Sequence, residues 1–244
     1  SIMRKIRKII KSNIVFVCCS KGIEMNTLKL PSQIVASYFP KHSIAVLSGP
    51  NFAEEVSRNM PAATLIASNK IATSKKIASI VQTKLFRPYV SDDVIGSQIA
   101  GATKNVYAIA CGVVEGKKFG KNAVASIISR SFAEVSRLNK SMRAKPETLS
   151  GLSGMGDLFL TCSSKKSRNF KLGLDLASGM SLSSIIKKNS SIAEGVFTAR
   201  ALKQMSLKKK LNLPIAETVY QILYRKKNID HAIEELLNRP IGRE

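Results

Sequence analysis

The sequence predicts an open α/β sheet followed by an all-helical region, with the change near Ser91. Three observations predict it. Up to about Val90, short β-branched runs alternate with helical stretches, the order that builds an open sheet covered by helices. Beyond Ser91 no run has the length and β-branched content of a strand. Ser91 itself, followed by Asp92 and Asp93, carries the marks of a helix start: a capping hydroxyl and first-turn acids, which the helix dipole favours.

Taken in order, the opening SIMRKIRKIIKS reads as a basic helix, and NIVFVCC at 13–19 as a buried strand. A helix is expected over 33–39, a strand at 43–48 (SIAVLS) and a short helix over 52–57. AATLIA at 62–67 is the third strand, 74–83 a helix and 86–90 a last short strand. Helical patterns then follow at 92–113, 121–139, 146–153, 168–178, 181–188, 194–206, 214–225 and 229–237. The expected domains are therefore 1–91 and 92–244.

Composition narrows the function classes. The 244 residues carry a net charge of +23, yet the lysines are spread as doublets such as Lys75-Lys76, Lys117-Lys118 and Lys187-Lys188. A nucleic-acid groove wants a localised basic patch with aromatics interleaved. Here aromatics are 6% and tryptophan is absent, so adhesion to nucleic acid is expected only as a side effect of charge. The most apolar stretch, 94–114, is interrupted by Ser97, Gln98, Lys104 and Asn105, so no membrane span is expected. The four cysteines (18, 19, 111, 162) lack ligand spacing and are expected to be reduced, buried thiols of a cytoplasmic protein, with no metal site.

Two segments carry chemistry. In GLSGMGDLFLTCSSKKSRN at 151–169, three glycines crowd Asp157, and Ser167, Arg168 and Asn169 open the next helix. An amide-rich helix start with a guanidinium suits an anion. The competing reading is a helix–loop–helix corner whose glycines only permit tight packing. In the stretch 94–114, Lys104 is the only charged residue. Burial of an ammonium favours its neutral form, which suits it to general acid–base work; a lysine snorkelling from a helix flank is the structural alternative.

These segments resemble the bacterial-type NAD(P)-dependent glycerol-3-phosphate dehydrogenases. SKG at 20–22, LSGPNFAEEV at 47–56, GSQIAGATKNVYAIACGVVEG at 96–116 and 151–169 carry the likeness, with AEG at 193–195 and LPIAETVYQILY at 213–224 in support. The resemblance implies a partial doubly wound (Rossmann-like) sheet in 1–91, a remnant of a dinucleotide-binding domain. It implies an all-α substrate-binding domain of the 6-phosphogluconate-dehydrogenase-like type in 92–244.

The same resemblance implies the roles. Lys104 is the proton acceptor and a substrate contact. Asp157 hydrogen-bonds the substrate or orients the lysine. Ser167, Arg168 and Asn169 hold the substrate end, and Lys21, Gly49 and Asn51 are further substrate contacts. Asn51 stands where many relatives carry threonine. The cofactor, NAD or NADP, is expected at Lys21, Ala53, Arg168, Ile192 and Glu194. The implied activity interconverts glycerol 3-phosphate and glycerone phosphate for phospholipid synthesis, in a homodimer joined through the helical domain.

One departure stands out: the chain has no GxGxxG, the turn that sets pyrophosphate on a helix N-terminus. The first βαβ unit of the family is thus expected to be missing, because the sequence is either a fragment of a longer protein or the product of a decayed gene. The alternative function is a non-catalytic remnant whose helical domain folds or dimerises without cofactor.

Overall fold

The computed structural model describes residues 2–10, 14–188 and 192–240. Asn13 and the ends of the expected basic helix (positions 1, 11 and 12) lie outside them. Four strands, β1 (Val15–Cys18), β2 (Ser43–Ser48), β3 (Ala62–Ala67) and β4 (Phe86–Ser91), form one sheet in that order. Helix α1 (Ile2–Ile6) precedes the first strand, and α2 (Pro31–Tyr38), α3 (Ala53–Ser57) and α4 (Ile71–Val81) lie between the strands. β1–β2 and β3–β4 pair in parallel, and β2–β3 antiparallel, so the sheet is mixed.

Alternation along the strands explains the two covered faces. One face buries Cys18, Val46 and Ala67 with Val35 of α2 and Phe39 just after it, joined by Met3 and Ile6 of α1. Phe16 and Phe39 meet there at 4.5 Å between ring centroids. The other face buries Ala45 and Ile66 against Ile77 and Ala78 of α4. A sheet with helices on both faces is the doubly wound arrangement in part.

After Ser91 the described residues are helical: α5 (Val94–Gly116), α6 (Lys121–Ser141), α7 (Pro146–Ser150), a π-helical turn (Leu152–Gly156), α8 (Asp157–Ser163), α9 (Arg168–Ala177), α10 (Leu182–Lys188), α11 (Glu194–Lys209), α12 (Pro214–Arg225) and α13 (Ile229–Leu237). None is long and apolar enough to cross a membrane. The secondary structure changes at Ser91, whereas packing divides the chain differently. The first compact unit is the chain up to Ala102 with Val135–Leu160; the second is Thr103–Glu134 with the chain from Thr161.

Several expectations need correction. Ser91 does not cap α5, because β4 runs through it. Asp93 does: its Oδ1 accepts from the Gly96 amide at 2.9 Å, and its Oδ2 accepts from the Lys145 amide at 2.9 Å. The helix expected at 146–153 stops at Ser150, and the segment after it is a π turn leading into a helix, not a loop. Cys19 is exposed, while Cys18, Cys111 and Cys162 are buried; Cys19 follows the last residue of β1 and leaves the sheet's interior.

In the second unit a buried carboxylate organises the packing. Glu134 (1% exposed) accepts from the Ile215 amide at 2.6 Å, the Ala216 amide at 3.1 Å and the Tyr107 hydroxyl at 3.2 Å. Pro214 opens α12 without a donor to satisfy, so the carboxylate takes the next two free amides at the positive end of that helix.

Candidate active site

The first unit gathers polar groups at the carboxyl ends of its parallel strands, where ligands of open α/β sheets bind. Lys21 follows β1 and Gly49 follows β2. A groove of about 480 Å³ there is lined by Cys19, Lys21, Ser48, Gly49, Asn51 and Ala53, among others. Lys21 Nζ donates to Asp157 Oδ2 at 2.5 Å and lies 3.4 Å from the Gly49 carbonyl. Asp157 is the first residue of α8 and 1% exposed. The Lys21 cation compensates the charge of this buried carboxylate. The lysine that Asp157 pairs with in the first unit is Lys21.

Asp157 is placed by the glycines before it. A Cβ at Gly154 would lie 1.8 Å from the Leu149 carbonyl oxygen, so only glycine lets the π turn close onto α7. The packing reading of these glycines is therefore correct for Gly154, and it serves the site by setting the carboxylate.

The same groove has unmet hydrogen-bonding capacity. Asn51 donates to the Ala63 carbonyl at 2.9 Å, but its Oδ1 is buried with no partner, and so is Ser48 Oγ. Orphaned buried polar atoms in a groove are what a hydroxyl- or phosphate-bearing ligand satisfies. A side chain at Gly101 would meet Ser48 Oγ at 3.0 Å and Lys21 Cδ at 3.5 Å, so the bare face of α5 lies against these groups. The residues present thus fit part of a nucleotide or a polyol phosphate.

The second unit holds the other group. Lys104 on α5 is 8% exposed. Its neighbour Asn105 (4% exposed) links three helices: Asn169 Nδ2 donates to Asn105 Oδ1 at 2.9 Å, and Asn105 Nδ2 donates to Glu194 Oε2 at 3.1 Å. The Gly195 amide closes the chain by donating to Asn169 Oδ1 at 2.9 Å. A Cβ on Gly195 would lie 2.5 Å from that oxygen and 2.6 Å from the Asn105 carbonyl, so α11 can start here only with glycine. Ser167 caps α9, its hydroxyl accepting from the Phe170 amide at 3.3 Å. Arg168 opens α9 and shares the lining of a small cavity with Lys171, Asp175 and Ile192.

The expected residues therefore fall into two sets. Lys21, Gly49, Asn51, Ala53 and Asp157 belong to the first unit; Lys104, Ser167, Arg168, Asn169, Ile192 and Glu194 belong to the second. Asn105, Gly195 and Ser48 went unassigned in the sequence. The signal for Asn105 was there, a polar residue directly after the one charge of an apolar helix.

Comparison with known proteins places these groups in a family context. The family described as NAD-dependent glycerol-3-phosphate dehydrogenase C-terminus matches residues 93–234, and the corresponding N-terminus family matches residues 1–74. The glycerol-3-phosphate dehydrogenase (NAD(P)+) of Caulobacter vibrioides is 47% identical over 96% of this chain and 71% of its own length. That of Zymomonas mobilis is 44% identical over 98% of this chain and 70% of its own. Among solved structures, glycerol-3-phosphate dehydrogenase from Coxiella burnetii superposes with a TM-score of 0.94 at 33% identity, covering 98% of this chain and 73% of the other.

Proposed function

The chain belongs to the NAD-dependent glycerol-3-phosphate dehydrogenases, and on that footing we propose that it interconverts sn-glycerol 3-phosphate and glycerone phosphate with NAD or NADP. The observation that carries the proposal is Lys104: a buried lysine, the only Lys, Arg, Asp or Glu in the apolar stretch 94–114, whose neighbour Asn105 is held by Asn169 and Glu194.

NAD(P), when bound, supplies or accepts the hydride. Lys104 takes the C2 hydroxyl proton in oxidation and returns it to the ketone oxygen in reduction. Arg168, with Ser167 and Asn169, holds the phosphate end. Lys21, oriented by Asp157, adds a second cation for the doubly charged substrate, with Gly49 and Asn51 as neighbouring contacts. Lys21 and Ala53 in the groove, and Arg168, Ile192 and Glu194 in the second unit, are the residues assigned to the cofactor. Ala53 leaves room, and the orphaned Ser48 and Asn51 oxygens accept hydrogen bonds from ligand hydroxyls. The same reading makes the protein a cytoplasmic homodimer that supplies glycerol 3-phosphate for phospholipids.

The test is direct. Purified protein is mixed with NADH or NADPH and glycerone phosphate, and the loss of reduced-nicotinamide absorbance is followed. Substrate-dependent loss is expected; no loss with either nucleotide, from protein shown to be folded, contradicts the proposal.

A further inference from the structure

The second unit contains an apolar cleft that the dehydrogenase chemistry does not use. It encloses about 350 Å³ among α5, α6, α12 and α13, within the size range of ligand pockets, about 300–1,000 Å³. Its walls are aliphatic: Ile109 and Val113 from α5, Ile127 from α6, Val219 and Ile222 from α12, and Leu236 from α13. Two hydroxyls interrupt them, Ser126 and Thr218, and Ser126 already donates to the Asn122 carbonyl. Phe119 and Leu237 also line the cleft and stay 50% and 78% exposed.

Charge distinguishes the rim at Phe119. Three lysines surround this residue in sequence. Lys117 pairs with Asp230 at 2.6 Å and Lys121 with Glu115 at 3.0 Å, so both are neutralised locally. Lys118, exposed and adjacent to Phe119, has no carboxylate partner among the described residues. An aliphatic cleft whose lining residue Phe119 directly follows an exposed lysine without a carboxylate partner matches an amphiphile with one hydrocarbon tail and one negative head.

We propose that this cleft binds a single-chain fatty acid, its tail among the walls of α5, α6, α12 and α13 and its carboxylate at Lys118. A second copy of the chain fits less well. A stable interface buries about 800 Å² per partner, whereas the strongly exposed apolar side chains lining this cleft are Phe119 and Leu237.

The test is calorimetric titration of the full chain with hexanoate, octanoate, decanoate and dodecanoate below their micellar concentrations, with decanol as the uncharged control. Saturable one-to-one binding is expected, strengthening about fourfold per added methylene until the cleft is filled. Lys118→Glu should weaken decanoate several-fold and leave decanol unchanged. Ala123→Phe, which fills the cleft from α6, should abolish both. Absence of saturable decanoate binding to the unmodified chain overturns the proposal, as does a Lys118→Glu variant that loses decanol equally. So does decanoate binding that survives a folded Ala123→Phe variant. Should Ala123→Phe not fold, the chain-length series and Lys118→Glu decide alone. A dimer that dissociates on Ala123→Phe and is unaffected by decanoate would assign the cleft to a second copy, against the proposal.

Discussion

Lys21 and Asp157, 136 positions apart in the chain, form a 2.5 Å ion pair in which the two partners are buried unequally. The lysine side chain is 22% exposed and the aspartate 1%. Removing either partner should therefore have unequal consequences. Lys21→Met takes the cation from a buried carboxylate and is expected to cost roughly 2–3 kcal/mol, below the about 3–5 kcal/mol of a fully buried pair. Asp157→Asn keeps a carbonyl acceptor and leaves an ammonium that reaches the groove, so the expected cost is about 1 kcal/mol. Urea unfolding of the two variants measures the difference; a larger loss for Asp157→Asn would contradict this assignment of burial.

Gly195 makes the second prediction. Alanine there meets the Asn105 carbonyl and Asn169 Oδ1 inside normal contact, and the backbone carbonyl cannot rotate away. Overpacking of this kind costs about 1–3 kcal/mol. The displaced Asn169 should also raise KM for glycerone phosphate more than it lowers kcat. Steady-state kinetics and thermal melts on Gly195→Ala check both; unchanged KM would detach this amide chain from substrate binding.

Thiol chemistry gives the third. Burial pushes the Cys18 thiol up to about 11, and the neighbouring Cys19 adds to the shift. Burial raises the Cys19 thiol as well, opposed by the Lys21 ammonium, yet Cys19 is exposed. The thiolate is the reactive form. Labelling the folded protein with a maleimide near neutral pH should therefore modify Cys19 first, faster as pH rises, and reach all four cysteines only on unfolding. Because Cys19 lines the groove with Lys21 and Gly49, saturating NADH should slow its labelling. Earlier modification of Cys18, Cys111 or Cys162 would count against the structure, and lack of protection against the groove as the nucleotide's place.

The sequence located the strands closely, and β2 and β3 begin and end where expected, because β-branched runs bounded by polar turns have few alternative placements. It did not reveal the antiparallel β2–β3 pairing. Strand direction there depends on how the 49–61 connection returns, which periodicity does not encode. Ser91 and Asp93 were both chemically able to cap α5, and the extension of β4 through Ser91 decided between them. Helix α8 escaped notice because the glycines before it read as a loop, whereas Gly154 permits a π turn that continues into the helix. Among site residues, charged groups stood out and their neutral supports did not: Lys104 was legible, and Asn105, whose partners come from α9 and α11, was visible only as a polar exception.

The most direct test of the central claim is turnover by Lys104→Ala and Lys104→Arg, normalised to folded protein. If Lys104 moves the C2 hydroxyl proton, alanine should cut kcat by roughly two to four orders of magnitude, the usual worth of general acid–base catalysis. KM should change much less, since Arg168 and its neighbours, proposed to hold the phosphate, are left intact. Arginine should not restore turnover, because a guanidinium does not give up a proton near neutral pH. Near-normal turnover in the arginine variant, or an alanine variant that loses stability but keeps its kcat, would contradict the account.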